Sequence, residues 1–106
     1  MLYLVGTFNF NAQRFSPEQA ERHYLEHHVP LARRLPGLRQ YAIGKLIETR
    51  TVYAGRYRGA ILGFDNLDAL RAAYASPVGQ ELRCDEDLLI ADPAAILIEG
   101  EEVVRP

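Results

Sequence analysis

Leu2-Tyr-Leu-Val-Gly-Thr-Phe-Asn-Phe10 carries apolar side chains at both parities of an extended chain. Leu2, Leu4, Phe8 and Phe10 share one face at period two, while Tyr3 and Val5 point the other way. The stretch reads as a first strand with both faces buried. The same double pattern recurs in Leu38 to Ile47, where Leu38 and Leu46 oppose Tyr41, Ile43 and Ile47. Tyr57 to Phe64 reads as a third strand whose Gly59 and Gly63 leave room for a close approach. Ala95 to Glu99, continued by Val103 and Val104 across an interruption at Gly100, reads as a fourth.

Helical signals fill the intervals. Ser16-Pro-Glu-Gln19 is a capping box with proline at the first helical position, so a helix starts near Pro17. Ala20, Tyr24, Leu31 and Leu35 form its apolar stripe, and Arg22, Glu26, Arg33 and Arg34 lie mostly outside it. Pro30 lacks the N–H that would bond residue 26 and disfavours helical angles at Val29, which predicts a kink or break there. Pro36-Gly37 ends the element, and the polar stretch Glu48 to Gly55 is expected to turn the chain between the second and third strands. Asp65 or Asn66 caps a short helix with Leu67, Leu70 and Tyr74; Ser76-Pro77 starts another that runs to Leu89 and stops at Asp92-Pro93.

The order is βαββαβ, a single α+β domain over residues 1–106 with a ferredoxin-like four-stranded antiparallel sheet. One layer of helices covers one sheet face. The other apolar face then calls for a second copy of the chain across a two-fold axis, so a homodimer is expected.

Composition narrows the function classes. The chain of 106 residues is 48% apolar and 25% charged, close to a globular average, and its formal charge of −2 is spread through the sequence. No positive field is present to hold a phosphate backbone, which argues against nucleic acid as a partner. Nothing approaches the roughly 20 apolar residues of a spanning helix, so no membrane association is expected. A single cysteine, Cys84, and an N-terminus without a basic lead favour a cytoplasmic setting.

All three histidines fall within His23-Tyr-Leu-Glu-His-His28. Three readings share them. His23-x-x-Glu26-His27 formally matches a zinc-binding pattern, but the match is short and a carboxylate from elsewhere would have to complete the site, so no metal is expected. Alternatively His28, on the edge of the apolar stripe beside the Pro30 irregularity, moves protons for a substrate between helix and sheet. Or His28 only hydrogen-bonds a backbone carbonyl freed by Pro30. Tyr24 and Tyr41 are either core residues with satisfied hydroxyls or substrate contacts. Asp85, Glu86 and Asp87 read as a solvated charge run, and Cys84 among them as inert. No glycine loop for phosphate, no nucleophile motif and no dinucleotide fingerprint is present, so no cofactor is expected.

Tyr24-x-x-x-His28-x-Pro30-Leu31 followed by Arg34-Leu-Pro-Gly-Leu-Arg-x-Tyr41 resembles the N-terminal signature of the EthD family, and Ser76-Pro-x-Gly79-Gln is similar to a later piece of it. The resemblance implies the dimeric α/β barrel arrangement and kinship with cofactor-free isomerases, aromatic-polyketide cyclases and small monooxygenases. It matches His28 to the family histidine and Tyr41 to the tyrosine after Leu-Pro-Gly-Leu. The resulting expectation is a cofactor-independent enzyme acting on a small apolar or aromatic compound, with His28 and Tyr41 catalytic and Tyr24, His27 and Phe8 contacting substrate. The rival is a non-catalytic ligand-binding or accessory protein of the same fold, in which His28 is structural.

Overall fold

The computed structural model describes residues 1–47 and 57–104. Strand β1 spans Leu2–Phe10, β2 Gln40–Lys45, β3 Arg58–Phe64 and β4 Ile90–Glu99. They form one sheet in the order β2-β3-β1-β4, with every neighbouring pair antiparallel. Helices α1 (Pro17–His23) and α2 (Val29–Ala32) are joined by a π-helical segment, Tyr24–His28, and α3 (Leu67–Ala75) is followed by α4 (Pro77–Leu89). The βαββαβ order and the ferredoxin-like α+β architecture expected from the sequence are both present. The turn expected at Glu48 to Gly55 lies outside the described residues.

Register explains the two faces. Leu2 pairs with Phe64, Leu4 with Leu62 and Phe8 with Arg58, and these side chains turn towards the helices. Tyr3 and Val5 pair with Gly63 and Ile61 on one side and with Ile98 and Ile96 on the other, which puts them on the opposite, helix-free face. The core consists of one cluster around Leu31, Leu35, Leu62, Phe64 and Leu82, and a second around Phe8, Ala20, Tyr24 and Leu89. The stripe Ala20, Tyr24, Leu31, Leu35 is buried throughout.

Local chemistry accounts for the helix ends. Ser16 accepts from the Gln19 amide while the Gln19 side chain accepts from the Ser16 amide, completing the capping box. Of the two candidate caps for α3, Asn66 accepts from the Ala69 amide at 2.8 Å, and Asp65 instead pairs with Arg39. Ser76 caps α4 through the Gly79 amide. A Cβ at Gly79 would sit 2.3 Å from the Ala73 carbonyl oxygen, so only glycine lets α4 follow α3 this closely.

Pro30 does not break the helix. Val29 keeps helical angles (φ −62, ψ −47) and its amide donates to the Tyr24 carbonyl, five residues back. Widening one turn into a π-helix absorbs the missing Pro30 N–H without interrupting the chain direction. Asp92-Pro93 is likewise not where α4 stops. The chain becomes extended at Ile90, and β4 runs through Asp92-Pro93, where Asp92 has φ 52 and the β1 register shifts between Thr7 and Asn9. Proline is tolerated there because β4 is an edge strand at a bulge. The strand ends at Glu99; Val103 and Val104 are exposed and lie outside it.

Candidate functional site

The site is built where the π-helical segment crosses α4 above the inner sheet face. In a regular α-helix, residues five apart point about 140° away from each other. The wider π turn brings His23 and His28 to the same side, and both reach the carboxylate of Asp85 on α4. His28 Nδ1 lies 2.8 Å from Asp85 Oδ2, and His23 Nε2 lies 2.6 Å from Asp85 Oδ1. Both His28 and Asp85 are buried. His28 therefore bonds a side-chain carboxylate, rather than a carbonyl freed by Pro30.

Asp85 was invisible in a run read as solvated, and the structure corrects that reading. Leu82, Asp85 and Leu89 are all buried on one face of α4, spaced three and four residues apart. An aspartate on the apolar stripe of a helix is the signal that could have singled it out. Only Asp87 of the three acids is exposed; Glu86 is half-buried. Burial pushes the Glu86 carboxyl above the ordinary glutamate value, with Asp87 and Asp85 adding to the effect and Arg83 opposing it.

His28 lines a cavity of about 130 Å³ between helices and sheet together with Tyr24, Tyr41, Phe8, Leu62 and Glu86. A larger groove of about 710 Å³ along α4 and β4 shares Leu4, Glu86 and Ile90 with it. The smaller cavity holds His28, Tyr24 and Tyr41, and the groove, lined by Tyr74, Arg83, Glu86 and Asp87, supplies room beyond them. Of the residues expected from sequence, His28, Tyr41, Tyr24 and Phe8 converge on this cavity. His27 does not: its side chain is 54% exposed, with Nε2 3.7 Å from Asp85 Oδ1.

Burial holds His28 below the ordinary histidine value, although the hydrogen bond and charge of Asp85 pull the other way. The ring is thus neutral near pH 7. With Nδ1–H donated to Asp85, Nε2 carries the lone pair available to a ligand. The imidazole stacks on Tyr24, ring centroids 5.4 Å apart. Tyr24 is wedged between Phe8 and Phe10, and the buried Arg58 guanidinium sits 5.1 Å over its ring while bonding Glu21. No motif announced the contacts of Arg58 and Glu21 with this aromatic cluster.

The Tyr24 hydroxyl is buried and makes no hydrogen bond of full geometry among the described residues, but it lies near enough to the Tyr41 hydroxyl for each phenol to perturb the other's proton affinity. Burial raises both above the usual tyrosine value. Both phenols are therefore protonated donors at neutral pH. A neutral imidazole base and two phenolic donors facing one apolar cavity can remove a proton from carbon and hold the resulting oxyanion.

The EthD domain model matches residues 12–93. An uncharacterized 11.0 kDa protein in the thcB–thcC intergenic region of Rhodococcus erythropolis is 30% identical over 90 residues, covering 85% of this chain and 87% of that protein. The crystal structure of an EthD family protein from Bacillus halodurans superposes with a TM-score of 0.73 at 21% identity, covering 97% of this chain and 99% of that one. SnoaB, a cofactor-independent oxygenase from Streptomyces nogalater, gives 0.66 at 18% identity over 99% and 97% of the two chains. A dimeric ferredoxin-like protein of unknown function from Thermobifida fusca gives 0.68 at 21% identity over 92% and 88%. At these identities the structural likenesses establish the fold.

Proposed function

The chain belongs to the EthD family, and from that premise we propose that it is a cofactor-independent enzyme that moves a proton on a small apolar or aromatic carbonyl compound. The observation that carries the reading is the neutral His28, oriented through Nδ1 by a buried Asp85, lining a cavity with Tyr24 and Tyr41. In the proposed step, His28 Nε2 takes a proton from the carbon next to the substrate carbonyl. The electron pair moves to the carbonyl oxygen, and the phenols of Tyr41 and Tyr24 donate hydrogen bonds to the enolate. Asp85 stabilises the imidazolium that forms. In an isomerase His28 returns the proton to a different carbon; in a cyclase the enolate carbon attacks a second carbonyl of the substrate and His28 returns the proton to the alkoxide oxygen so formed. An oxygenase is the variant in which dioxygen is the co-substrate, in keeping with SnoaB among the structural neighbours.

The same reading includes a homodimer. Ile61, Ile96 and Ile98, each between 44% and 47% exposed, share the helix-free face of the sheet, and a second copy packed there would bury them. The Thermobifida fusca neighbour is a dimeric protein of the same fold.

Deuterium incorporation from D2O into ketones that carry an aromatic ring, acetophenone and 2-tetralone, followed by NMR, tests the reading. The protein is expected to accelerate exchange, and His28→Ala to lower the rate by about 10²- to 10⁴-fold with its circular dichroism unchanged. Equal rates for the two proteins would overturn the assignment of His28 as base.

A further inference from the structure

We propose that His23, His27 and Asp85 form a binding site for a divalent transition-metal ion, zinc in the first instance, at the solvent side of the seam between the π-helical segment and α4. Their ligand atoms, His23 Nε2, His27 Nε2 and a carboxylate oxygen of Asp85, all lie within 4.8 Å of one another. The histidines are four residues apart with ring centroids 4.8 Å apart, and both aim Nε2 at the same Asp85 oxygen. The sequence alone left this pair one ligand short. The carboxylate it lacked comes from α4.

A single proton accounts for only part of this cluster. One proton between His23 Nε2 and Asp85 Oδ1 satisfies the 2.6 Å contact and leaves the His27 contact, at 3.7 Å, too long for a hydrogen bond. An ion bonded to all three at about 2.0–2.2 Å needs ligand atoms roughly 3.3 Å apart. The short contact opens and the long one closes to reach that spacing, which small rotamer changes of His23 and the exposed His27 allow.

The surroundings fit as well. Asp85 Oδ2 is held by His28 Nδ1 at 2.8 Å, so the ligating carboxylate is oriented by a hydrogen bond from outside the coordination sphere. Phe15 packs against the His23 ring at 5.5 Å and restricts it. Asp85 is buried whereas His27 is 54% exposed, so the ion has a path from solvent and an open position for water. Two imidazoles and one carboxylate suit zinc, nickel, cobalt or copper over magnesium or calcium, which prefer oxygen alone. The ion would lie on Oδ1 of Asp85 and away from the cavity, so no step of the proton-transfer reading passes through it.

Chelator-stripped full-length protein titrated with zinc chloride tests the site without any substrate. Calorimetry is expected to give one zinc per chain, thermal melting a rise of several degrees, and cobalt substitution the visible bands of a four-coordinate site. His27→Ala, at an exposed position the core does not need, and His23→Ala are each expected to weaken binding at least about tenfold. His28→Ala keeps the one-to-one stoichiometry even as it loses ketone exchange, so the two proposals fail separately. Absence of zinc binding at about millimolar metal, or binding unchanged in both His27→Ala and His23→Ala, would overturn the inference.

Discussion

Phe64 and Ile61 stand three residues apart on the same strand and meet opposite fates. Phe64 faces the helices and is 0% exposed; Ile61 faces away from them and is 44% exposed. The strands offer similar apolar side chains to both sides, so the contrast comes from what covers them. On the inner side the helices bring polar groups too, and His28, Asp85, Tyr24 and Tyr41 are held there by a packed shell. The outer side has apolar side chains and no comparable set of ionisable groups among the described residues, which suits a face for association. On the proposed reading, chemistry and assembly separate onto the two faces of a single sheet.

The largest test of this contrast is Phe64→Ala, which removes a fully buried ring and is expected to cost about 3–5 kcal/mol in urea unfolding. A loss below about 1 kcal/mol would mean the inner core is looser than its packing indicates. Next comes Asp85→Ala, which strips the acceptor from His28 and His23 and is expected to cost about 1–3 kcal/mol by the same measurement. A neutral outcome would show that the buried carboxylate is tolerated rather than needed.

Ile61→Asp probes the outer face. It is expected to shift the protein from dimer to monomer in light scattering after gel filtration, while the monomer keeps its far-ultraviolet spectrum. A dimer that survives the charge would place the contact elsewhere. The smallest effect is predicted for Tyr74→Phe. Burial and the nearby Glu86 push the Tyr74 phenol up to about 12 from its ordinary value of 10, against the pull of Arg83, whose guanidinium lies 5.5 Å over the ring. A phenol whose folded-state value is raised contributes stability below pH 10 that is lost as pH rises through about 12. Tyr74→Phe should be nearly silent at pH 7 and should flatten the loss of stability between pH 10 and 12. An unchanged alkaline limb would refute the burial of the hydroxyl.

Much of the architecture was legible because its determinants are local. Alternation in Leu2–Phe10 specified a strand, and Ser16, Asn66 and Ser76 marked helix starts within one turn of the amides they cap. Pro30 was read for what it forbids, an α-helical hydrogen bond, and the π turn that escapes the prohibition was not foreseen. Asp92-Pro93 was read as a stop, whereas antiparallel pairing with β1 carries the strand through it. Of the residues expected at the site, His28, Tyr24, Tyr41 and Phe8 line one cavity, and His27 points to solvent because adjacent residues on a helix project in different directions.

By itself the sequence determined the order of elements, the buried stripe through Tyr24 and Leu31 and the two-sided apolar character of the sheet, since periodicity and caps act over a few residues. Only the tertiary structure decided what His28 bonds. Its partner Asp85 stands 57 positions further along the chain, and the two meet because the π-helical segment packs against α4. That contact depends on how whole elements dock, and docking is set by the summed burial of many side chains rather than by any local pattern.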